Sequence, residues 1–364
     1  MILKVNQTNL TDLEFMKKFC SYLLSVLVFF CFLSAIKAQT QATSAFKIAK
    51  KFTLGGEGGW DYLTVDAAAR RVYISRGTHV MVVDADAGNV VGDVPNTNGV
   101  HGIALAPEFN KGFISNGRDN SVTVFDLKTL KATKQIAAGK NPDAIIYDPA
   151  SKRVFAFNGR SNDATVIDAK NETVAATIAL AGKPEFAVAD GKGHVFVNIE
   201  DKSQLVALDS AALKVASSYA LAPCEEPSGL AFDAKHRRLF SVCSNKLMAV
   251  INADSGKIIT TVPIGGGTDA AAFDADNNLI FSSNGEGSVT VVKEETPDKF
   301  SVVENVATQK GARTMAFDPQ THQIYLVTAE FGETPAATRE NPRPRPAVKP
   351  GTFTLLVLSQ NAKK

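Results

Sequence analysis

The chain is poor in the residues that would announce a chemistry. Its 364 residues include one tryptophan, five histidines and four cysteines, and 39 basic against 37 acidic side chains leave a formal net charge of only +2. Such a balance gives no strong long-range field toward nucleic acid or anionic lipid. The histidines are scattered at His79, His101, His194, His236 and His322, so they form no His-rich copper centre. Glycine runs at Gly55-Gly56-Glu57-Gly58-Gly59 and Gly265-Gly266-Gly267 precede no helical pattern and read as loops, not phosphate cradles. One long apolar run exists, Phe19 to Leu33, and it is short for a hydrocarbon core of ~30 Å.

That run has the setting of a cleaved leader. Met16-Lys17-Lys18 supplies a basic start and Ser34-Ala35-Ile36-Lys37-Ala38 a cleavage point after Ala38, which makes residues 1–38 a signal peptide. Asp12 and Glu14 are foreign to a signal start, so residues 1–15 are read as untranslated, with initiation at Met16. Phe29-Phe30 before Cys31 lacks the small residues that lipid attachment needs. The expectation is export to the periplasm or beyond the cell, with no membrane span after cleavage. Cleavage removes Cys20 and Cys31. The remaining pair, Cys224 and Cys243, is expected to form a disulfide in an oxidising compartment, two buried thiols being the alternative.

What the chain does have is a repeat. Asp66, Ala106, Asp148, Asp190, Asp233, Asp274 and Asp318 recur every 40 to 44 residues. The aromatics Tyr73, Phe113, Phe155, Phe196, Phe240, Phe281 and Tyr325 follow in the same rhythm. Within one unit His101–Ala106, Gly112–Asn116, Ser121–Asp126 and Ala132–Ala137 read as strands A to D, parted by Gly, Asn, Asp and Pro turns. Short strands at this period predict an all-β fold, a seven-bladed β-propeller of four-stranded antiparallel blades spanning residues 39–364. The last unit stops after strand C, at Phe353 to Leu358, and a spare strand, Phe46 to Leu54, precedes the first unit. An open ring would leave strand edges unpaired, so the N-terminal strand is expected to complete the last blade.

Strand B carries an aromatic-x-x-polar pattern, as in Phe113-Ile-Ser-Asn116, Phe155-Ala-Phe-Asn158, Phe281-Ser-Ser-Asn284 and Tyr325-Leu-Val-Thr328, and strand C endings such as Val-Val-Asp84-Ala and Val-Ile-Asp168-Ala accompany it. On these motifs residues 46 to 360 resemble the YncE-like, YVTN-type β-propeller repeat family of exported bacterial proteins; Ile199 and Cys243 depart from the pattern. The resemblance implies the fold and export. For activity it implies only the association of some members with DNA binding.

The residue five before each strand-ending position opens strand A at the mouth of the central channel. Across the units it reads Asp61, His101, Asp143, Glu185, Ser228, Asp269 and Arg313. All seven are polar among largely apolar neighbours. Crowded carboxylates raise one another's pKa or hold a cation, while His101 and Arg313 supply proton transfer and anion recognition. The alternative is a hydrated channel mouth. No cofactor is predicted, no metal ligand set is assigned, and a divalent cation on the carboxylates is the one the ring could take. His194, His236 and His322 fall in turns of the opposite face and read as surface residues. The insertion Phe331 to Gly351, with Asn341-Pro-Arg-Pro-Arg-Pro-Ala-Val-Lys-Pro350, is too long for a hairpin loop and reads as a lid or recognition arm beside the ring.

The expected function is that of a monomeric binding or scaffold protein recognising a small molecule, peptide or envelope polymer at the channel mouth. A lactonase-like hydrolase with Glu185, Asp143, His101 and Arg313 as acid, base and anion-binding groups is the enzymatic alternative. Single-stranded nucleic acid binding is the third, disfavoured by near-neutral charge and by few aromatics beyond Trp60, Tyr62 and Phe331.

Overall fold

A computed structural model describes residues 45–339, 344 and 346–361. The expected leader, with its start at Met16 and cleavage after Ala38, lies outside the described residues. Within these residues seven four-stranded antiparallel sheets follow one another along the chain, six of them in sequential strand order and the last completed by the N-terminal strand. Blade 1 covers residues 63–94, blade 2 100–137, blade 3 142–179, blade 4 184–220, blade 5 227–263, blade 6 268–307 and blade 7 315–360.

In blade 2 the strands are Val100–Ala106, Lys111–Asn116, Ser121–Asp126 and Ala132–Ala137, within a residue of the expectation. Blade 7 takes its outer strand from the other end of the chain. Phe46–Thr53 pairs with Thr354–Gln360, in a register from Phe46 opposite Gln360 to Thr53 opposite Thr354. Phe46 packs against Phe281 of blade 6, ring centres 5.5 Å apart, so the closing strand also joins the apolar layer between blades 6 and 7.

The repeating aspartates shape the turns. At the end of strand A, Asp148 accepts the backbone N–H groups of Ala150 and Ser151, Asp233 those of Lys235 and His236, and Asp318 that of Gln320. A short carboxylate satisfying turn amides is the usual reason for Asp at such a place. Blade 2 has Ala106 there, and a 3-10 turn, Pro107–Phe109, replaces the Asp-capped one. Burial follows strand order: strand B of blade 6, Leu279–Asn284, is buried throughout, while the outer strand Ala132–Ala137 of blade 2 buries only Ile136. The core lies between blades. One cluster joins Phe113, Val122 and Val124 of blade 2 to Ile145, Val154 and Ile167 of blade 3. Others repeat this around the ring, including one that joins blade 7 to blade 1.

Cys224 and Cys243 form the disulfide expected of them, with Cα atoms 5.7 Å apart in blade 5. Among the described residues no helix is long and apolar enough to cross a membrane. The described parts of the insertion sit between strands B and C of blade 7, Gln323–Thr328 and Thr354–Gln360, and a bridge pairs Phe331 with Val348 at its base.

Candidate functional site

The seven residues that open strand A converge, and two backbone devices put them there. Two residues before the opening position, Gly99, Asn141, Glu226, Gly267 and Gly311 all have positive φ. The carbonyl at this place accepts the N–H that follows strand B of the same blade, as from Gly117 to Gly99, Gly159 to Asn141 and Gly285 to Gly267. Neighbouring blades are then tied together at the ring. Ser115 donates to the carbonyl of Asp143, Ser283 to that of Arg313, Asn198 to that of Ser228 at 2.7 Å, and Thr314 to that of Asp61 at 2.8 Å. The ring geometry is therefore built into the blade interfaces.

Six of the side chains form one polar chain. Ser228 Oγ donates to Asp269 Oδ1 at 2.8 Å. Arg313 spans Asp269 at 3.2 Å and Asp61 at 3.6 Å. His101 Nδ1 lies 2.7 Å from Asp61 and 3.5 Å from Asp143. Glu185 is reached from elsewhere: Lys183 Nζ is 3.2 Å from it and also pairs with Glu200, while the buried Tyr62 hydroxyl donates to Glu185 at 3.5 Å from across the channel.

The ring is partly sheltered from solvent. Ser228 and Asp269 are buried and the other five are only partly exposed. Carboxylates that lose water while facing one another take protons more readily. Burial, with the field of Asp143 added, pushes Glu185 up to about 8. Burial pushes Asp143 up to about 6 against the opposing field of His101. Burial also raises Asp269, although Arg313 opposes it. Burial alone would lower His101, but its hydrogen bond to Asp61 and the fields of Asp143 and Glu185 raise it. At neutral pH Glu185 therefore keeps its proton, while Asp143 sits close to its own midpoint.

Two clefts open above this chain. One of about 450 Å³ is lined by Trp60, Asp61, His101, Arg118, Arg160 and Arg313 among others. The second, about 390 Å³, shares Trp60 and Arg313 and is walled by Phe331, Pro346 and Val348 of the insertion. Trp60 stands between Phe331 and Phe353, with ring centres 6.1 and 5.2 Å away. A depression of about 600 Å³ at the outer strands of blades 1 and 2 contains no ring residue. Asp61, His101 and Asp143 each place a ligand atom within 4.8 Å of the others, so within the ring these three could hold a cation.

Some placements differ from the sequence reading. Arg76, in the connection from strand B to strand C of blade 1, is buried, with its guanidinium 3.6 Å from the Phe353 ring centre and its pKa lowered to about 10 by that burial. Flat guanidinium on an aromatic face explains how it is accommodated. The turn histidines are not simple surface groups: His194 lies 3.2 Å from Asp190, His322 3.0 Å from Asp274, and His236 between Asp233 and Glu294. Lys183 is the cation beside Glu185. It stands where five other blades have a residue of positive φ.

No protein-family model and no curated protein sequence matches the chain. Solved structures do. The chain is similar to a structure described as Kuenenia stuttgartiensis hydrazine synthase, with TM-score 0.67 and 16% identity, over 75% of this chain and 93% of that one. It is also similar to U3-55K, with TM-score 0.71 and 7% identity, over 85% of this chain and 99% of that one. The fold is a seven-bladed β-propeller. With 1801 solved chains sharing the likeness, and with identities this low, it carries architecture and not activity.

Proposed function

We propose that this propeller is a binding protein whose channel mouth takes a small molecule or a chain end bearing a carboxylate. The observation that carries the reading is the charge arrangement of the larger ring-side cleft. Arg118 and Arg160 are exposed on its wall, enter no ion pair among the described residues, and stand with Arg313 over a floor of Asp61 and His101. Guanidinium groups recognise carboxylates through paired N–H donors. Asp61 can accept from a hydroxyl or amine of the same ligand. An apolar portion would rest on Trp60 and Phe331, which makes the insertion a recognition arm. The YncE-like resemblance, export and a monomeric state belong to this reading.

The test is a thermal-shift screen of acidic sugars, amino-acid derivatives and peptides with unblocked C-termini, followed by titration calorimetry. Arg118→Ala, Arg160→Ala and Arg313→Ala should each weaken binding of the hit about tenfold or more, since a hydrogen bond to a charged group contributes about 1.5–3 kcal/mol. Unchanged affinity in all three variants would remove the reading.

A second reading rests on Glu185 and Asp143. Two carboxyls pushed to about 8 and about 6 are poised for proton transfer near neutrality, as acid and base of a hydrolase. A panel of esters and lactones, with and without divalent cations, tests it; turnover that survives Glu185→Gln and Asp143→Asn would count against these residues.

A further inference from the structure

On the face opposite the channel mouth, Asp233, His236 and Glu294 meet across the boundary between blades 5 and 6. Asp233 ends strand A of blade 5, Pro227–Asp233, and His236 lies in the turn that follows. Glu294 comes from strand C of blade 6, Ser288–Thr296. His236 Nδ1 is 2.8 Å from Asp233 Oδ2 and 2.9 Å from Glu294 Oε1.

These contacts do not add up as hydrogen bonds. One imidazole nitrogen carries at most one proton, so it can give a full, well-directed hydrogen bond to only one of the two carboxylates. Among the described residues Nδ1 has no properly directed partner, and neither Glu294 oxygen receives a well-directed hydrogen bond. Glu294 is 3% exposed, where an ionised carboxylate without a donor is costly. The neighbouring cations are committed elsewhere: Arg237 to Asp190 and Asp254, and Arg238 to Asp298 and to the carbonyls of Pro297 and His236.

We propose that this cluster is a metal site for a first-row divalent cation such as zinc, held by Asp233, His236 Nδ1 and Glu294, and that the ion clamps blade 5 to blade 6. Two ligands each about 2.1 Å from a shared ion stand about 3.0 Å apart at an octahedral angle and about 3.4 Å apart at a tetrahedral one, so the separations of 2.8 and 2.9 Å widen by at most about half an ångström to take an ion. An imidazole with two carboxylates suits zinc and its neighbours better than calcium or magnesium, which prefer all-oxygen shells. His236 is partly exposed, which leaves an approach for the ion and room for water to complete the shell. The turn that carries His236 is set by Asp233 itself, whose carboxylate accepts the backbone N–H groups of Lys235 and His236. One ligand therefore positions another.

The test uses the full exported chain, stripped with a chelator and titrated with Zn²⁺ by calorimetry. The site predicts a stoichiometric binding event that raises the melting temperature and disappears in both Glu294→Gln and His236→Ala. It also predicts that the event persists in His101→Ala and His322→Ala, which separate it from the channel-mouth set and from the Asp274–Asp276–His322 cluster. Co²⁺ in place of zinc should give visible d–d absorption that Glu294→Gln abolishes. If His236→Ala fails to fold, the near-isosteric Glu294→Gln decides alone. Absence of stoichiometric Zn²⁺ binding, or binding that survives Glu294→Gln, would overturn the proposal and leave the cluster a proton-sharing network.

Discussion

Glu185 shows how a single residue couples fold to chemistry. Its carboxyl faces Asp143 and is largely removed from water, so the folded state holds its proton up to about 8, whereas an unfolded chain releases it near 4.3. Between those values the folded protein binds more protons than the unfolded one, and stability falls as pH rises. Asp143, pushed to about 6, acts in the same direction over a lower window. His101, raised by its carboxylate neighbours, contributes stability that is present below its unfolded pKa and lost as pH rises through its folded one. All three have one sign. The melting temperature should therefore decline from about pH 4.5 to about pH 8. Glu185→Gln should flatten the upper part of that decline and stabilise the protein above pH 8; a melting series across pH that is superimposable for both proteins would contradict the assignment. The sequence disclosed the seven positions because they recur once per blade. It did not disclose their burial, which depends on how closely seven strands pack about one axis, a property of the ring and not of any unit.

At the scale of elements, the turns were the most legible part of the molecule. Strand-ending aspartates repeat because each one caps local amides, a purely sequential device, so Asp148, Asp233 and Asp318 announced their turns without any tertiary information. Contacts between blades were hidden for the opposite reason: Arg76 on Phe353, or Glu294 against His236, join residues that share no register. The disulfide lies between these cases. Cys224 precedes strand A of blade 5 and Cys243 ends strand B, and antiparallel pairing sets Pro227 opposite Cys243, which brings both cysteines to one end of the sheet. The cross-link closes a loop over a separation of 19 residues, for which chain-entropy loss in the unfolded state corresponds to about 3 kcal/mol. Replacing both cysteines by alanine should lower unfolding free energy by about that amount while leaving ligand binding at the channel mouth unchanged. Denaturant melts of the double variant with an unaltered midpoint would show that the bond constrains little.

The whole molecule depends on where the ring is sealed. Each of the first six blades is contiguous in sequence, but blade 7 combines strands from both ends of the described chain. If the N-terminal strand acts by pairing with Thr354–Gln360, then connectivity is irrelevant and only the presence of the strand matters. The structure allows the two ideas to be separated, because the Asn361 amide donates to the Ala45 carbonyl at 2.8 Å and Phe46 faces Gln360. A loop of two to five residues can join such antiparallel ends as an ordinary hairpin. A circular permutant that links Asn361 to Ala45 and opens the chain in the 55–59 glycine loop would place all four strands of blade 7 in sequence. It should fold with a melting temperature close to that of the parent. Deleting 46–53 should instead expose the edge of Thr354–Gln360 and the apolar surface that Phe46 covers on Phe281, giving aggregation or loss of cooperative unfolding. A deletion variant that melts like the parent would show that the ring holds without its seal, and a permutant that fails while folding controls succeed would show that closure resides in chain order and not in strand pairing.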